Sequence, residues 1–161
     1  MALGETKHHE FYDGLVTVNP PTIRHSIIAG RLGAVLTIAC RPDHVVLPEA
    51  GWAPADHTVF VPDLMVARTD RLGVDLLRSA PVLVVEITSP STRSEDLGRK
   101  LRAYAEGGCP WCWVVDPEAD TLTVHQLTDG SYAVADVVAA PDTVRVSRPL
   151  SVSLDLGNLF P

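Results

Sequence analysis

Pro81-Val-Leu-Val-Val-Glu-Ile-Thr88 is nearly continuously apolar until a single carboxylate, Glu86, interrupts it. A strand written this way is buried on both faces and belongs in the middle of a sheet. Downstream, a helix runs to about Glu106 from Ser91 or Ser94, either of which can cap it, and Gly107-Gly108 ends it. Trp111–Val115 follows as a second buried strand, closed by Asp116-Pro117. Strand, helix and strand fit a single α/β domain.

Upstream, Asp13-Gly14 between HEFY and LVTV predicts a hairpin, which Asn19-Pro20-Pro21 stops. From about Arg24 to Ala39, Ile27, Ile28, Leu32, Val35, Leu36 and Ala39 recur at helical spacing and predict a helix packed on the sheet. Two β-type runs, His44–Leu47 and Val59–Val66, flank a turn-rich stretch from Pro48 to Asp56. Thr121–Leu127 and Tyr132–Val138, joined by Asp129-Gly130, predict a closing hairpin. The expected organisation is one α/β domain over residues 1–161, without repeats or linkers.

The 161 residues are 46% hydrophobic, which excludes wholesale disorder. No stretch approaches the roughly 18 to 20 apolar residues that span a bilayer, and MALGETKHHEF lacks the apolar core of a signal peptide. A soluble, cytoplasmic protein without membrane contact is expected. Three cysteines, Cys40, Cys109 and Cys112, suggest no disulfide framework. Cys109-Pro-Trp-Cys112 has redox or zinc spacing, but it lies between a helix end and a strand and lacks a second ligand pair. Two small core residues are the simpler reading.

A net charge of −7 argues against whole-surface attraction to nucleic acid. The segment from Arg93 to Glu106 departs from that balance, setting Arg93, Arg99, Lys100 and Arg102 against Glu95, Asp96 and Glu106. A carboxylate inside an apolar strand is costly unless it is paired, hydrogen-bonded or bound to a cation. Glu86 in VVEIT and Asp63 in VFVPDLMVA both need such an explanation. Capping a strand or pairing with an arginine would satisfy either one alone. Together on adjacent strands they suit Mg²⁺, which takes one or two carboxylates with water and phosphate oxygens. In the following helix, Leu97, Leu101 and Tyr104 mark a buried stripe, and Lys100 falls within it. Lys100 should therefore point inward, with Asp96 one turn earlier on the same side, while Arg99 and Arg102 face solvent. An Asp96–Lys100 surface pair is the alternative.

Glu10 ahead of Asp13-Gly14, Pro20-Pro21 before Arg24-His25, Val61-Pro62-Asp63, and VVEITSPSTRSEDLGRKLRAYAEGGCPWCWVVDP from Val84 to Pro117 are the residues that carry a family resemblance. Over roughly residues 8 to 160 the chain resembles the Uma-two family (domain of unknown function 820) of restriction-endonuclease-like proteins in the PD-(D/E)xK nuclease superfamily. The resemblance implies an αβββαβ core, with a mixed central sheet flanked by helices and added N- and C-terminal β-hairpins. It implies that Asp63, Glu86 and the main-chain carbonyl of Ile87 bind Mg²⁺ or Mn²⁺. Thr88 stands where the superfamily has its lysine, whose role passes to Lys100. Glu10 and His25 match supporting positions, a further carboxylate near the metal and a histidine contacting phosphate or water. The implied activity is metal-dependent endonuclease hydrolysis of phosphodiesters, of DNA first, by a homodimer. The competing reading is a catalytically silent nuclease fold that binds nucleic acid or a protein, favoured by Leu15, where the family has an acidic residue, by Thr88 in the lysine position, and by the acidic surface.

Overall fold

The structure is a computed structural model that describes residues 10–12, 15–17, 21–88 and 95–161, with side chains over 21–88 and 97–161. Strands β1 (Glu10–Tyr12) and β2 (Leu15–Thr17) form the expected antiparallel hairpin, Tyr12 opposite Leu15. Helix α1 spans Ile23–Ala39, and Thr22 caps it by accepting a 3.1 Å hydrogen bond from the His25 amide. Next come β3 (His44–Pro48), β4 (Trp52–Ala55), β5 (Thr58–Phe60) and β6 (Leu64–Arg68). The crossover unit is β7 (Leu83–Ile87), α2 (Glu95–Glu106) and β8 (Trp111–Asp116). After it lie β9 (Thr121–Thr128), β10 (Ser131–Ala139), β11 (Thr143–Val146), β12 (Val152–Asp155) and the short α3 (Leu156–Leu159). Whether Ser91 or Ser94 caps α2 lies outside the described residues.

The central sheet has the order β10-β9-β8-β7-β6-β3, with β7 and β8 parallel and the remaining neighbours antiparallel. β7 is thus interior, as its apolar run requires. Strand alternation sorts its side chains: Leu83, Val85 and Ile87 pack with Ile28, Leu32 and Leu36 of α1, whereas Val84 shares the opposite core with Ala103 and Tyr104 of α2. Ile28, Leu32 and Leu36 are fully buried, each contributing about 1.5–3 kcal/mol by leaving water. Among the described residues, no helix is long and apolar enough to cross a membrane.

Two expectations need correction. Val59–Val66 is two strands: the chain leaves a second sheet, ordered β2-β1-β5-β4, at Phe60 and enters the central one at Leu64. Pro62, lacking an N–H, falls in the crossing between them. The turn-rich stretch hides β4, whose Pro54 is tolerated because β4 is an edge strand, and whose Trp52 is wholly buried. The expected closing hairpin β9–β10 extends the central sheet, and a separate pair, β11–β12, follows it.

Candidate active site

The crossing between the sheets puts Asp63 at the start of β6, one residue before Leu64 pairs with Val85. Both of its carboxylate oxygens are engaged. Oδ2 accepts a 2.6 Å bond from the main-chain N–H of Ile87, the residue after Glu86, and Oδ1 lies 3.0 Å from Nε2 of His25. Asp63 nonetheless keeps 21% of its side chain accessible, enough to face a ligand.

His25, near the start of α1, is mostly enclosed. Burial opposes its protonation, but the hydrogen bond and charge of Asp63, helped by Glu86 and Glu49, outweigh it and raise the pKa above the ordinary 6.5. Its Nδ1 is buried without a hydrogen-bond partner among the described residues. In the imidazolium form that atom is a donor suited to an anionic oxygen.

Glu86 leaves β7 on the α2 side and is 7% exposed. Helix α2 supplies two of its partners: Lys100 Nζ donates to Oε2 at 3.2 Å, and Tyr104 Oη donates to Oε1 at 2.6 Å. Lys100 is itself 9% exposed, so the inward direction read from helical phase holds. Arg102 is exposed as expected, while Arg99 is only partly so. Tyr104 is held in turn by Trp52, with ring centroids 5.4 Å apart, and by an edge contact with Phe60 at 5.1 Å. This fixes the hydroxyl that Glu86 needs.

Two further groups near the site escaped the sequence reading. Tyr104 was recognised as core without its hydroxyl being assigned a partner; its i+4 spacing from Lys100 was the available signal. Glu49 adopts a left-handed φ of 47° after β3, and its N–H donates to the Asp63 carbonyl at 3.2 Å. No local motif announces it. A cleft of about 280 Å³ reaches this point, with His25, Asp63 and Glu49 at one end and Gly30, Gly33 and Val46 along it.

The remaining candidates separate from this group or lie outside the description. The Thr88 hydroxyl donates at 3.3 Å to the Val115 carbonyl of β8, so it serves the sheet. The side chains of Glu10 and Asp96 are outside the described residues, and the expected metal contact through the Ile87 carbonyl is untested; it is the Ile87 N–H that meets Asp63. Cys109 and Cys112 are fully buried free thiols, and burial pushes Cys109 up to about 11, which makes it inert. Asp116 is a turn residue whose Oδ1 accepts from the Glu118 and Ala119 amides.

Among the described residues no three His, Cys, Asp or Glu side chains converge to cage a metal. Asp63 and Glu86 are carboxylate oxygen donors of the kind a hard divalent cation takes, one or two at a time, with water and substrate oxygens completing its shell.

Comparisons with known proteins agree with this architecture. A crystal structure described as "a putative nuclease belonging to DUF820" from Anabaena variabilis superposes with a TM-score of 0.81 at 22% identity, covering 98% of this chain and 93% of that one. An uncharacterized protein of Synechocystis sp. is 26% identical over 165 residues, spanning 94% of this chain and 84% of its own length. The Uma2 family, described as "Putative restriction endonuclease", matches residues 1–157. The chain therefore belongs to the Uma2 family.

Proposed function

We propose that this protein is a Mg²⁺-dependent endonuclease, with Mn²⁺ as an alternative ion, hydrolysing phosphodiester bonds of nucleic acid, DNA in the first instance. One observation supports the reading most: Asp63 accepts a 2.6 Å hydrogen bond from the amide of the residue following Glu86, so the two carboxylates belong to paired neighbouring strands. Asp63 and Glu86 would hold the cation. When bound, it supplies polarisation of the scissile phosphate and a lowered pKa for a water ligand.

The chain's own groups do the rest. His25 orients Asp63 through Nε2, and its Nδ1 offers a donor to a phosphate oxygen or to water. Tyr104 fixes the rotamer of Glu86. Lys100 balances the carboxylate charge, steadies the attacking water in line, and stabilises the negative charge that builds on the phosphate. A protein with net charge −7 can perform this chemistry because cation and lysine reverse the potential locally. Cys40, Cys109 and Cys112 are free thiols, which suits the cytoplasm.

Calorimetric titration of Mn²⁺ into the wild type and Glu86→Gln, beside a cleavage assay on single- and double-stranded DNA, tests the proposal. Glu86→Gln should weaken metal binding by more than roughly 100-fold, beyond the loss typical of a merely supporting partner, and should abolish cleavage. Nucleic-acid binding without metal binding or cleavage would instead identify a silent interaction module and refute the enzymatic reading.

A further inference from the structure

The cleft at the candidate site extends beyond the residues that would carry the chemistry. Its volume of about 280 Å³ lies near the lower end of small-ligand sites, roughly 300–1,000 Å³. One wall is helix α1, through Ala29, Gly30 and Gly33, and the other comes from the strands, through Val46, Pro48 and Leu64. Leu64 belongs to the buried core under α1, so that wall is fixed. Charged and titratable side chains line the cleft only at its His25, Glu49 and Asp63 end. Thr37 is the one other polar side chain on it, and its hydroxyl already donates to the Gly33 carbonyl at 2.7 Å.

The packing of the described residues does not require glycine on the helical wall. Gly30 and Gly33 sit inside α1, where glycine is destabilising relative to alanine. Neither adopts a positive φ. A Cβ built on Gly30 meets nothing within 4 Å, and one on Gly33 meets Leu64 Cδ2 at an ordinary 3.5 Å. What a larger side chain at Gly30 would occupy is the cleft itself. Helix stability is given up here, and an open slot beside the carboxylates is what it leaves.

The chemistry of the slot selects its occupant. Its walls offer no cation and no uncommitted hydroxyl proton, so a second phosphate would gain nothing there. Apolar walls suit a flat apolar body, and that body must be joined to the phosphate that meets His25 and Asp63. We propose that the slot takes one unpaired nucleobase next to the scissile phosphate, seated between Gly30 and the Val46–Pro48 wall. The proposal rests on the nuclease reading of the neighbouring site and adds the substrate class to it. In a duplex the faces of a base are covered by stacking and its edge is paired, so entry requires a base already free or pulled out at a cost. The preferred substrate is therefore single-stranded nucleic acid.

Fluorescence anisotropy tests the slot, using the full chain, a labelled single-stranded DNA hexamer and the blunt duplex of the same sequence, in Ca²⁺ with strand integrity checked by electrophoresis. The hexamer should bind at least about 10-fold more tightly than the duplex. Gly30→Leu fills the slot with a good helix former and touches neither candidate metal ligand. It should stay folded by circular dichroism and keep the wild-type affinity for Mn²⁺ by calorimetry, yet bind the hexamer about 10-fold more weakly and lose its preference over the duplex. Removing the hexamer's bases one at a time should cost the wild type a similar factor at a single position. The same removal should cost Gly30→Leu nothing more, because both changes delete one contact. A folded Gly30→Leu with wild-type affinity for the hexamer would overturn the proposal. So would a wild type that binds hexamer and duplex equally, or binds neither, or loses affinity evenly along the abasic series, a result that needs no variant. Failure of the nuclease reading shows separately, as a wild type that binds the hexamer through the slot but neither binds Mn²⁺ nor cleaves.

Discussion

Tyr104→Phe removes one oxygen atom and nothing else from the candidate site. The phenyl ring keeps its packing on Trp52 and Phe60, so no cavity opens and the transfer free energy of the ring is unchanged. What is lost is a 2.6 Å donation to Oε1 of a 7% exposed carboxylate. Hydrogen bonds to charged groups contribute about 1.5–3 kcal/mol, and few waters can reach Glu86 to replace this one. Spread over a chain of this size, at roughly 2–4 °C per kcal/mol, the variant should melt about 3–12 °C lower. Thermal unfolding followed by near-ultraviolet circular dichroism measures the shift. Metal affinity, read by calorimetry, should fall by roughly 10-fold as Glu86 loses its fixed rotamer. A melting temperature within about 1 °C of wild type would correspond to less than 0.5 kcal/mol and would refute the role given to the hydroxyl.

Other outcomes follow from the same contacts. Lys100→Met should cost about 3–5 kcal/mol in urea unfolding, because Glu86 stays buried without its cation. Adding Glu86→Gln should recover part of that loss, whereas simple additivity of the two changes would deny the ion pair. In chelator, the stabilisation from His25 should be complete below pH 6.5, the ordinary histidine value, and fade as pH rises through the raised folded value. The melting temperature of wild type should therefore drop relative to His25→Gln between pH 6.5 and 8, and parallel profiles would contradict the Asp63–His25 contact.

Much of this molecule is legible in its sequence wherever a local pattern determines the outcome. PVLVVEIT could only be an interior strand, and the phase of Leu97, Leu101 and Tyr104 was sufficient to turn Lys100 inward. The Asp13-Gly14 and Asp129-Gly130 hairpins follow from turn chemistry, and Asp129 and Gly130 adopt positive φ. What escaped depends on distant partners. Trp52–Ala55 reads as turn because Gly51 and Pro54 flank and interrupt it, and it becomes a strand only because β5 is there to pair with it. Val59–Val66 reads as one run because nothing local says that its halves join different sheets. The β11–β12 pair and α3 carry short, weakly patterned segments whose order comes from packing Val144, Leu154 and Leu156 into the α1 core. Glu49 reaches the site through the β3–β6 register, which sets Pro48 opposite Leu64. The Tyr104 hydroxyl was overlooked for a different reason: its ring satisfies the apolar stripe, which leaves the oxygen unremarked until Glu86 is seen beside it.

The most direct measurement is the rate of DNA cleavage by the purified wild type in Mg²⁺, run beside a folded Asp63→Ala variant and a chelated control. Cleavage by wild type that stops in chelator, returns with Mg²⁺ or Mn²⁺, and is absent in Asp63→Ala is the predicted result. Cleavage that persists in folded Asp63→Ala, or that ignores the chelator, would contradict a metal-dependent nuclease centre on Asp63 and Glu86.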